Sequence, residues 1–235
     1  EHLKEKDGRN RFLVPMTSPL AGEYKNLPVD PYTYGIWLGD GTTCQGCITE
    51  NVADMKIMIN HLAYESSSSN AGVSDNVRRW NFPKLLVDLH KLGLGYKGTP
   101  KFIHESYLTA SIEQRLELLA GLIDSDGYLD KVRQRYIIST ANPKLRDDIK
   151  ALVSTFGWRT SVTAVQPSTS TSGIVGKREI YYIGFSPSFE VPCKLPRKQL
   201  TRLHKQRRIG INKIEHDDNE FQGNCISVEG GVYLV

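Results

Sequence analysis

The chain has 235 residues, of which 39% are hydrophobic and 24% are charged. This composition is typical of a globular protein and excludes a disordered one. The longest unbroken apolar stretch, Leu118 to Ile123, is far shorter than the roughly 20 residues of a membrane-spanning helix. Four cysteines are too few for a disulfide framework, so we expect a reducing intracellular compartment. The net charge is +4, and the basic residues are concentrated at 78–101 and 197–213, which favours a polyanionic partner.

Two segments share one design, an apolar helix that begins with a capping residue and ends in Asp-Gly. The first begins at Asp30, followed by proline at the first helical position, and ends at Asp40. The second begins at Ser111, with a glutamine three residues later, and ends at Asp126. These start signals are typical of helix N-termini. The sequence therefore predicts two equivalent helices.

Each helix is followed by a similar order of elements. Strand-like residues lead to helices that begin with asparagine, over about 51–64 and 142–156. Further strands are predicted at 159–165 and 178–185. The pattern indicates an α+β fold built by internal duplication, with the order helix–strands–helix–strands–helix twice.

Small residues form a stripe along both predicted helices. Such stripes let two helix backbones approach closely. If the helices pack in parallel along them, Asp40 and Asp126 lie side by side at the helix C-termini. The stripes consist of Gly35, Gly39, Gly121 and Ser125.

Two carboxylates in this position are unfavourable unless a cation accompanies them. Each faces the negative end of a helix dipole, and the two charges repel each other. A divalent ion such as Mg²⁺ resolves both problems, and paired carboxylate-bound metals are typical of phosphodiester cleavage. A single Asp-Gly helix end is explained by glycine as a helix stop. Two copies at equivalent positions favour a metal site.

The second segment, Leu-Leu-Ala-Gly-Leu-Ile-Asp-Ser-Asp-Gly at 118–127, closely resembles the motif of the LAGLIDADG homing endonucleases. Residues 34–41 resemble a more degenerate first copy, and the resemblance organises roughly residues 28–208. Segments 29–32 and 221–235 are similar to intein-encoded members, in particular those of fungal nuclear genes.

The resemblance implies two pseudo-symmetric αββαββα halves, each a curved antiparallel sheet with helices on one face, with the motif helices paired at the interface. The first half is expected at 28–110 and the second at 111–208. Residues 1–27 would be a connector from an intein splicing domain, and 209–235 a remnant of that domain.

The resemblance also implies the roles of individual residues. Asp40 and Asp126 would be catalytic and bind metal, and the carbonyl groups of Gly39 and Ser125 would assist as ligands. The ion would be Mg²⁺, with Mn²⁺ as a substitute and Ca²⁺ binding without supporting cleavage. The catalytic lysines near the metals would be Lys97 and Lys198, with Lys194 and Arg197 as competitors for the second position.

The strands would lie in the major groove of double-stranded DNA, where polar side chains can read base edges. Basic residues over 197–213 would contact the phosphate backbone. The candidate DNA contacts are Thr43, Gln45, Thr49, Arg133, Arg135, Arg159, Ser161, Thr163, Arg178, Tyr182 and Arg197.

These inferences predict a monomeric, Mg²⁺-dependent, site-specific DNA endonuclease that leaves short 3′ overhangs, is not bound to membranes, and is nuclear if the host is eukaryotic. The alternative is a decayed relative that only binds DNA or assists RNA splicing, although the presence of both aspartates argues against it. Protein splicing needs an N-terminal Cys or Ser and a terminal His-Asn. The chain begins Glu1-His2 and ends Leu234-Val235, so we expect a part of a longer precursor that does not splice.

Overall fold

Helices and strands follow each other in nearly the same order in two halves of the chain. The computed structural model describes residues 3–74, 76–167, 178–205, 208–211 and 213–215. The first half comprises α1 (Pro31–Asp40), β2 (Cys47–Asn51), α2 (Val52–Met58), β3 (Ser68–Ser74), β4 (Val77–Asn81) and α3 (Pro83–His90), and it is preceded by β1 (Leu13–Val14). A short helix, α4 (Glu105–Leu108), leads to α5 (Ile112–Asp124), β5 (Gly127–Asp130), β6 (Arg135–Thr140), α6 (Pro143–Ser154), β7 (Thr160–Val165) and β8 (Ile180–Phe185), with β9 (Ile209–Gly210) last. Two 3₁₀ turns lie at Ile59–His61 and Pro196–Lys198.

The two motif helices begin where the sequence predicts. The Asp30 carboxylate accepts a hydrogen bond from the backbone nitrogen of Thr33 at 2.9 Å. Ser111 and Gln114 form a reciprocal capping box. Each cap satisfies N–H groups that a helix N-terminus otherwise leaves without partners. These local signals determine the residue at which each helix begins.

Each half contains one antiparallel sheet with a buried face. The strand order is β2-β4-β3 in the first half and β5-β6-β8-β7 in the second. Ile48 pairs with Trp80 and Ile138 pairs with Ile183, and these four side chains are buried in the core beneath the helices. By strand alternation, the neighbouring side chains point to the opposite face of each sheet, here called the open face. The predicted α+β class with antiparallel sheets is confirmed.

Two details of the predicted αββαββα order are wrong among the described residues. In the first half, the strand expected directly after α1 is reduced to a single bridge between Gly41 and Ile48, because only the short turn 41–46 separates α1 from β2. The second half ends in the 3₁₀ turn Pro196–Lys198 instead of a third α-helix. Pro187, Pro192 and Pro196 interrupt this segment, and proline cannot donate the helical hydrogen bond.

A two-stranded element lies outside both repeats. Leu13 pairs with Gly210 and Val14 with Ile209 in an antiparallel ribbon, here called the terminal ribbon (β1 with β9). The chain that leaves β1 packs on the second half, where a Cβ atom at Gly157 would lie 2.0 Å from the carbonyl oxygen of Thr17. The domain limits at 27/28 and 208/209 stay predictions. The proposed splicing-domain remnant falls largely at 216–235, outside the described residues.

None of the helices in the described ranges is long and apolar enough to cross a membrane.

Candidate active site

Helices α1 and α5 contact each other through their backbones. A Cβ atom at Gly35 would lie 2.3 Å from the carbonyl oxygen of Leu118, and one at Gly121 would lie 2.2 Å from that of Tyr32. No side chain fits at such distances without separating the helices. The predicted close approach along the small-residue stripes is therefore confirmed.

The two helices run in parallel and end at the same level. A Cβ atom at Gly39 would lie 2.2 Å from Ser125 Oγ and 3.3 Å from the backbone nitrogen of Asp126. The contacts thus advance together along both helices, from 35 beside 121 to 39 beside 125. As a result, Asp40 at the end of α1 and Asp126 just after the end of α5 share one site.

The carboxyl groups of this site resist ionisation. Burial, a hydrogen bond that the protonated Asp40 carboxyl donates to Glu50, and the charges of Glu50 and Asp126 raise the pKa of Asp40 to about 8. Desolvation by the surrounding protein also raises the pKa of Asp126, although the residue keeps exposed surface. The positive charges of Lys101 and Lys198 oppose the shift at Asp126. Without a further cation, the site holds its carboxylates at an electrostatic cost.

Glu50 is a member of the site that the sequence reasoning missed. It lies near the end of β2, and its side chain is hydrogen-bonded to Asp40. The bridge between Gly41 and Ile48 corresponds to the pair Gly127–Ile138 in the second half, so the position equivalent to Glu50 holds Thr140. Equivalent positions of the duplication therefore hold a carboxyl group in the first half and a hydroxyl group in the second. An acid directly before the helix cap Asn51 is the only sequence signal for it.

Two lysines, Lys101 partly buried and Lys198 buried, cap the carbonyl ends of the paired helices. Lys101 Nζ donates to the carbonyl oxygens of Leu38 and Gly39 at 3.0 and 2.9 Å. Burial lowers the pKa of Lys101 to about 8, opposed by the charges of the two aspartates. Lys198 Nζ donates to three carbonyl oxygens at the end of α5, those of residues 123, 124 and 125, at 2.7, 2.6 and 3.0 Å. Burial is the main cause that lowers the pKa of Lys198.

The structure places Lys101 at the carboxylates in the first half, and not Lys97. Lys97 is exposed, and the chain turns sharply after it at Gly98, whose φ is +84°. Lys101 directly follows Pro100, whereas Lys198 is the second residue after Pro196, so the two lysines share no sequence spacing that would have predicted Lys101. In the second half, Lys194 Nζ pairs with Glu117 at 2.9 Å, which leaves Lys198 as the lysine beside the carboxylates. The catalytic roles themselves stay predictions.

The two carbonyl groups predicted as metal ligands face lysines. The carbonyl oxygen of Gly39 accepts from Lys101, and that of Ser125 accepts from Lys198. A carbonyl oxygen has a second lone pair, so a role as metal ligand stays a prediction for both. In this arrangement the ammonium groups already compensate the negative helix ends.

Asp124 anchors the segment that carries Lys198. It is fully buried and accepts hydrogen bonds from the Tyr32 hydroxyl at 2.8 Å and from the backbone nitrogens of Lys194 and Leu195 at 2.6 and 3.4 Å. Burial raises its pKa, and these hydrogen bonds oppose the shift. Asp124 therefore joins α1, α5 and the turn after residue 193, and it was not singled out from the sequence.

The donor set of the site fits a hard divalent cation. Carboxylate oxygens are the ligands that Mg²⁺ prefers, and it completes its shell with water and phosphate oxygens. Within the described ranges no cluster of three or more His, Cys, Asp or Glu side chains is suited to hold a metal. Asp40 and Asp126 would thus supply the protein side chains, and the remaining positions would be open to water and substrate.

The metal-free protein is expected to lose stability as the pH rises from about 5 to 8. Asp40 keeps its proton in the folded state up to pH about 8, whereas an unfolded aspartate releases it near pH 4. Folding therefore takes up a proton in this range, and the free energy of unfolding falls with rising pH. Since one pKa unit is worth about 1.4 kcal/mol and the site is partly solvated, we expect a loss of about 2 kcal/mol. Urea unfolding in EDTA at pH 5, 6.5 and 8 measures it.

The matched variants for this experiment are Asp40→Asn and Asp147→Asn. The first should flatten the pH dependence and raise the stability at pH 8. Asp147 is exposed on α6, paired with Arg146, and Arg146 lowers its pKa, so its variant should keep the slope of the unchanged protein. Equal slopes for all three proteins would contradict the raised pKa of Asp40.

Several predicted DNA contacts share the open face of a sheet. Thr163 pairs with Tyr182, and Ser161 pairs with Gly184. By strand alternation these residues lie opposite the buried core face, as does Arg135 at the start of β6. In the first sheet, Thr49 occupies the equivalent face opposite Arg79, which sequence reasoning did not select.

The other predicted contacts lie in turns or in ion pairs. Arg133 pairs with Asp130 at 3.1 Å in the turn between β5 and β6. Arg197 pairs with Asp54 of α2, across the two halves, so its structural partner is a carboxylate. Thr43 and Gln45 lie in the turn after α1, Arg159 directly before β7, and Arg178, which is exposed, before β8.

Comparison with known proteins shows a similarity that includes the second half. Residues 113–182 match the family model of the LAGLIDADG-like domain. The chain is also 32% identical over 219 residues to the replicative DNA helicase DnaB of Mycobacterium intracellulare, and the alignment covers 88% of this chain. It covers 33% of the helicase, so the chain spans about a third of that relative's length.

Solved structures of the homing endonuclease I-DmoI are among the similar folds. Mesophilic variants of I-DmoI match with a TM-score of 0.42 and 16% identity, over 68% of this chain and 88% of theirs. The complex of I-DmoI with DNA and Mn matches with the same TM-score and identity, over 68% of this chain and 89% of that chain.

Proposed function

We propose that this chain is a site-specific, double-strand DNA endonuclease of the LAGLIDADG type that uses a divalent metal ion. The observation that carries the proposal is the parallel contact of α1 and α5, which brings Asp40 and Asp126 to one site. A lysine at each helix end adds positive charge beside that site. The family match over residues 113–182 supports the proposal for the second half.

The side chains of the site suit hydrolysis of a phosphodiester. Asp40 and Asp126 would hold the ion, and Mg²⁺ in such a site supplies an activated water and a counter-charge for phosphate oxygens. Lys101 and Lys198 are held by helix carbonyls, so their charges are fixed where negative charge develops. Mn²⁺ is proposed to replace Mg²⁺, and Ca²⁺ to bind without supporting cleavage.

The proposal extends to how the protein binds and where it comes from. Both carboxylates are on one chain, which supports action as a monomer. The open sheet faces present polar side chains to the major groove, and cleavage would leave short 3′ overhangs. An alignment confined to a third of a longer helicase supports an intein-encoded origin, in which the endonuclease is inserted within a host protein. The likeness to fungal members rests on the motif resemblance alone.

The test is cleavage of sheared genomic DNA and of partly randomised duplexes in Mg²⁺, with capture and sequencing of the ends. Recurrent ends at one long site, absent when Ca²⁺ replaces Mg²⁺, are the expected result. Recovery of one bound sequence without any recurrent ends would contradict the enzyme and favour a protein that only binds DNA.

Replacing Lys101 with methionine is expected to slow cleavage about 10²-fold, because one fixed positive charge beside the phosphate is lost. Lys97→Met is the matched control, since Lys97 is a basic residue of the same segment that is exposed. It should cleave at the rate of the unchanged protein. Single-turnover cleavage of the selected site in Mg²⁺ measures both rates. The reverse order of effects would restore Lys97 as the catalytic lysine and contradict the assignment of Lys101.

A further inference from the structure

A basic pocket of about 670 Å³ lies between the open face of the second sheet and the terminal ribbon. Four cationic side chains line it, and no Asp or Glu does. Trp158 and Phe185 add apolar surface to its wall. A concave site with this charge favours an anionic ligand. The cationic residues are Arg135, Arg159, Lys205 and Arg208.

Arg135 presents an unused donor at this pocket. Its Nε atom is buried and has no hydrogen-bond partner among the described residues. The guanidinium lies over Gly184, where a Cβ atom would be 2.6 Å from Arg135 Nη2 and 3.0 Å from Ser161 Oγ. The missing side chain at Gly184 thus makes room for the guanidinium.

The terminal ribbon forms the other wall. Arg208, Ile209 and Gly210 line the pocket, and Ile211 donates from its backbone nitrogen to the carbonyl oxygen of Phe12 at 3.0 Å. The segment before the ribbon is fixed to the second half, because the backbone nitrogen of His204 donates to the carbonyl oxygen of Pro187 at 2.9 Å. Residues outside the two repeats therefore complete the site.

We propose that this pocket binds a phosphate group of the DNA backbone, and that the terminal ribbon is thereby part of the DNA-binding surface. The inference rests on the proposed function. Phosphate oxygens accept from two nitrogens of one guanidinium, and Arg135 and Arg159 bring two guanidinium groups to the lining of this pocket. No carboxylate partner neutralises any of the four cations within the described part of the chain. A free nucleotide offers the same oxygens, so the experiment separates the two sources.

The experiment measures binding of a 30-base-pair random duplex in EDTA by fluorescence anisotropy between 50 and 200 mM KCl. The slope of log K against log salt is negative, and each phosphate contact makes it steeper by about 0.9. We expect Arg135→Met and Arg208→Gln each to make the slope shallower by about 0.9 and to weaken binding at least about threefold at 50 mM KCl. Gly184→Ala keeps every charge but displaces the guanidinium of Arg135, and it should weaken binding as Arg135→Met does.

Lys150→Gln is the matched control, because Lys150 is a partly exposed basic residue on α6, on the helical side of the sheet. It should leave the slope unchanged, and thermal unfolding should show that all variants fold. Titration with inorganic phosphate and a deoxynucleoside monophosphate tests the other source. Saturable nucleotide binding that Arg135→Met removes, with unchanged duplex slopes, would overturn the proposal in favour of a small-molecule site.

The failure of this inference differs from failure of the proposed function. Wild-type binding and cleavage with equal slopes in all variants would overturn the pocket's role and leave the nuclease intact. A wild-type chain that binds no duplex at 50 mM KCl would contradict both.

Discussion

Asp126→Asn is expected to reduce DNA cleavage by at least about 10³-fold while the protein stays folded. Asparagine keeps the size of the side chain but removes one of the two carboxylates that converge at the ends of α1 and α5. Without that charge, the site lacks half of its side-chain ligands for a divalent ion. Asp126 is exposed to solvent, so the substitution should leave the unfolding temperature close to that of the unchanged protein.

Single-turnover cleavage in Mg²⁺ gives the rate, and anisotropy in Ca²⁺ gives the affinity for the same site. DNA binding in Ca²⁺ should persist, since the sheet faces are unchanged. Asp147→Asn, on the exposed surface of α6, serves as control and should cleave normally. Cleavage by Asp126→Asn at the rate of the unchanged protein would contradict the proposed active site.

Gly121→Ala is expected to lower the free energy of unfolding by more than about 3 kcal/mol, or to prevent folding. The new methyl group would lie 2.2 Å from the carbonyl oxygen of Tyr32 and 2.9 Å from Gly35 Cα. Both atoms belong to a helix backbone and cannot turn aside, so the helices must separate. The separation would open the core along the whole contact and move the two aspartates apart.

Gly98→Ala distinguishes this close approach from backbone strain. Gly98 has a φ of +84° and open space around its Cβ position, so its substitution should cost only about 1–2 kcal/mol. Urea unfolding of both variants in EDTA provides the comparison. In an isolated helix, alanine is more favourable than glycine by about 1 kcal/mol. A stabilised Gly121→Ala protein would therefore show that the two helices do not touch.

The helices and their contact could be predicted because their signals are local. The caps at Asp30 and Ser111, and glycines spaced by four residues, follow directly from helical geometry. The alternation that places Ser161 and Thr163 on one face follows equally from strand geometry. Each of these features depends on residues close together in the chain.

The remaining parts of the site depend on contacts between distant residues. Lys101 contacts α1 after the turn at Gly98. A turn of this kind shows no periodic pattern in the sequence from which its path could be predicted. Glu50 meets Asp40 through the register of β2, and Asp124 holds a segment 70 residues away. The terminal ribbon pairs residues from the two ends of the described chain. Sequence spacing carries no information on such pairings.

The carboxyl pair at the helix ends has an evolutionary consequence. Because Asp40 is partly desolvated and close to the negative charges of Glu50 and Asp126, replacing it with a neutral side chain favours the folded, metal-free protein. The stability of the fold therefore favours loss of the acid at position 40, whereas it opposes substitution of the glycines that hold the helices together. If selection for the proposed cleavage were lost, we would expect substitution of Asp40 before substitution of Gly35 or Gly121. Retention of Asp40 in a chain opposes that thermodynamic gradient.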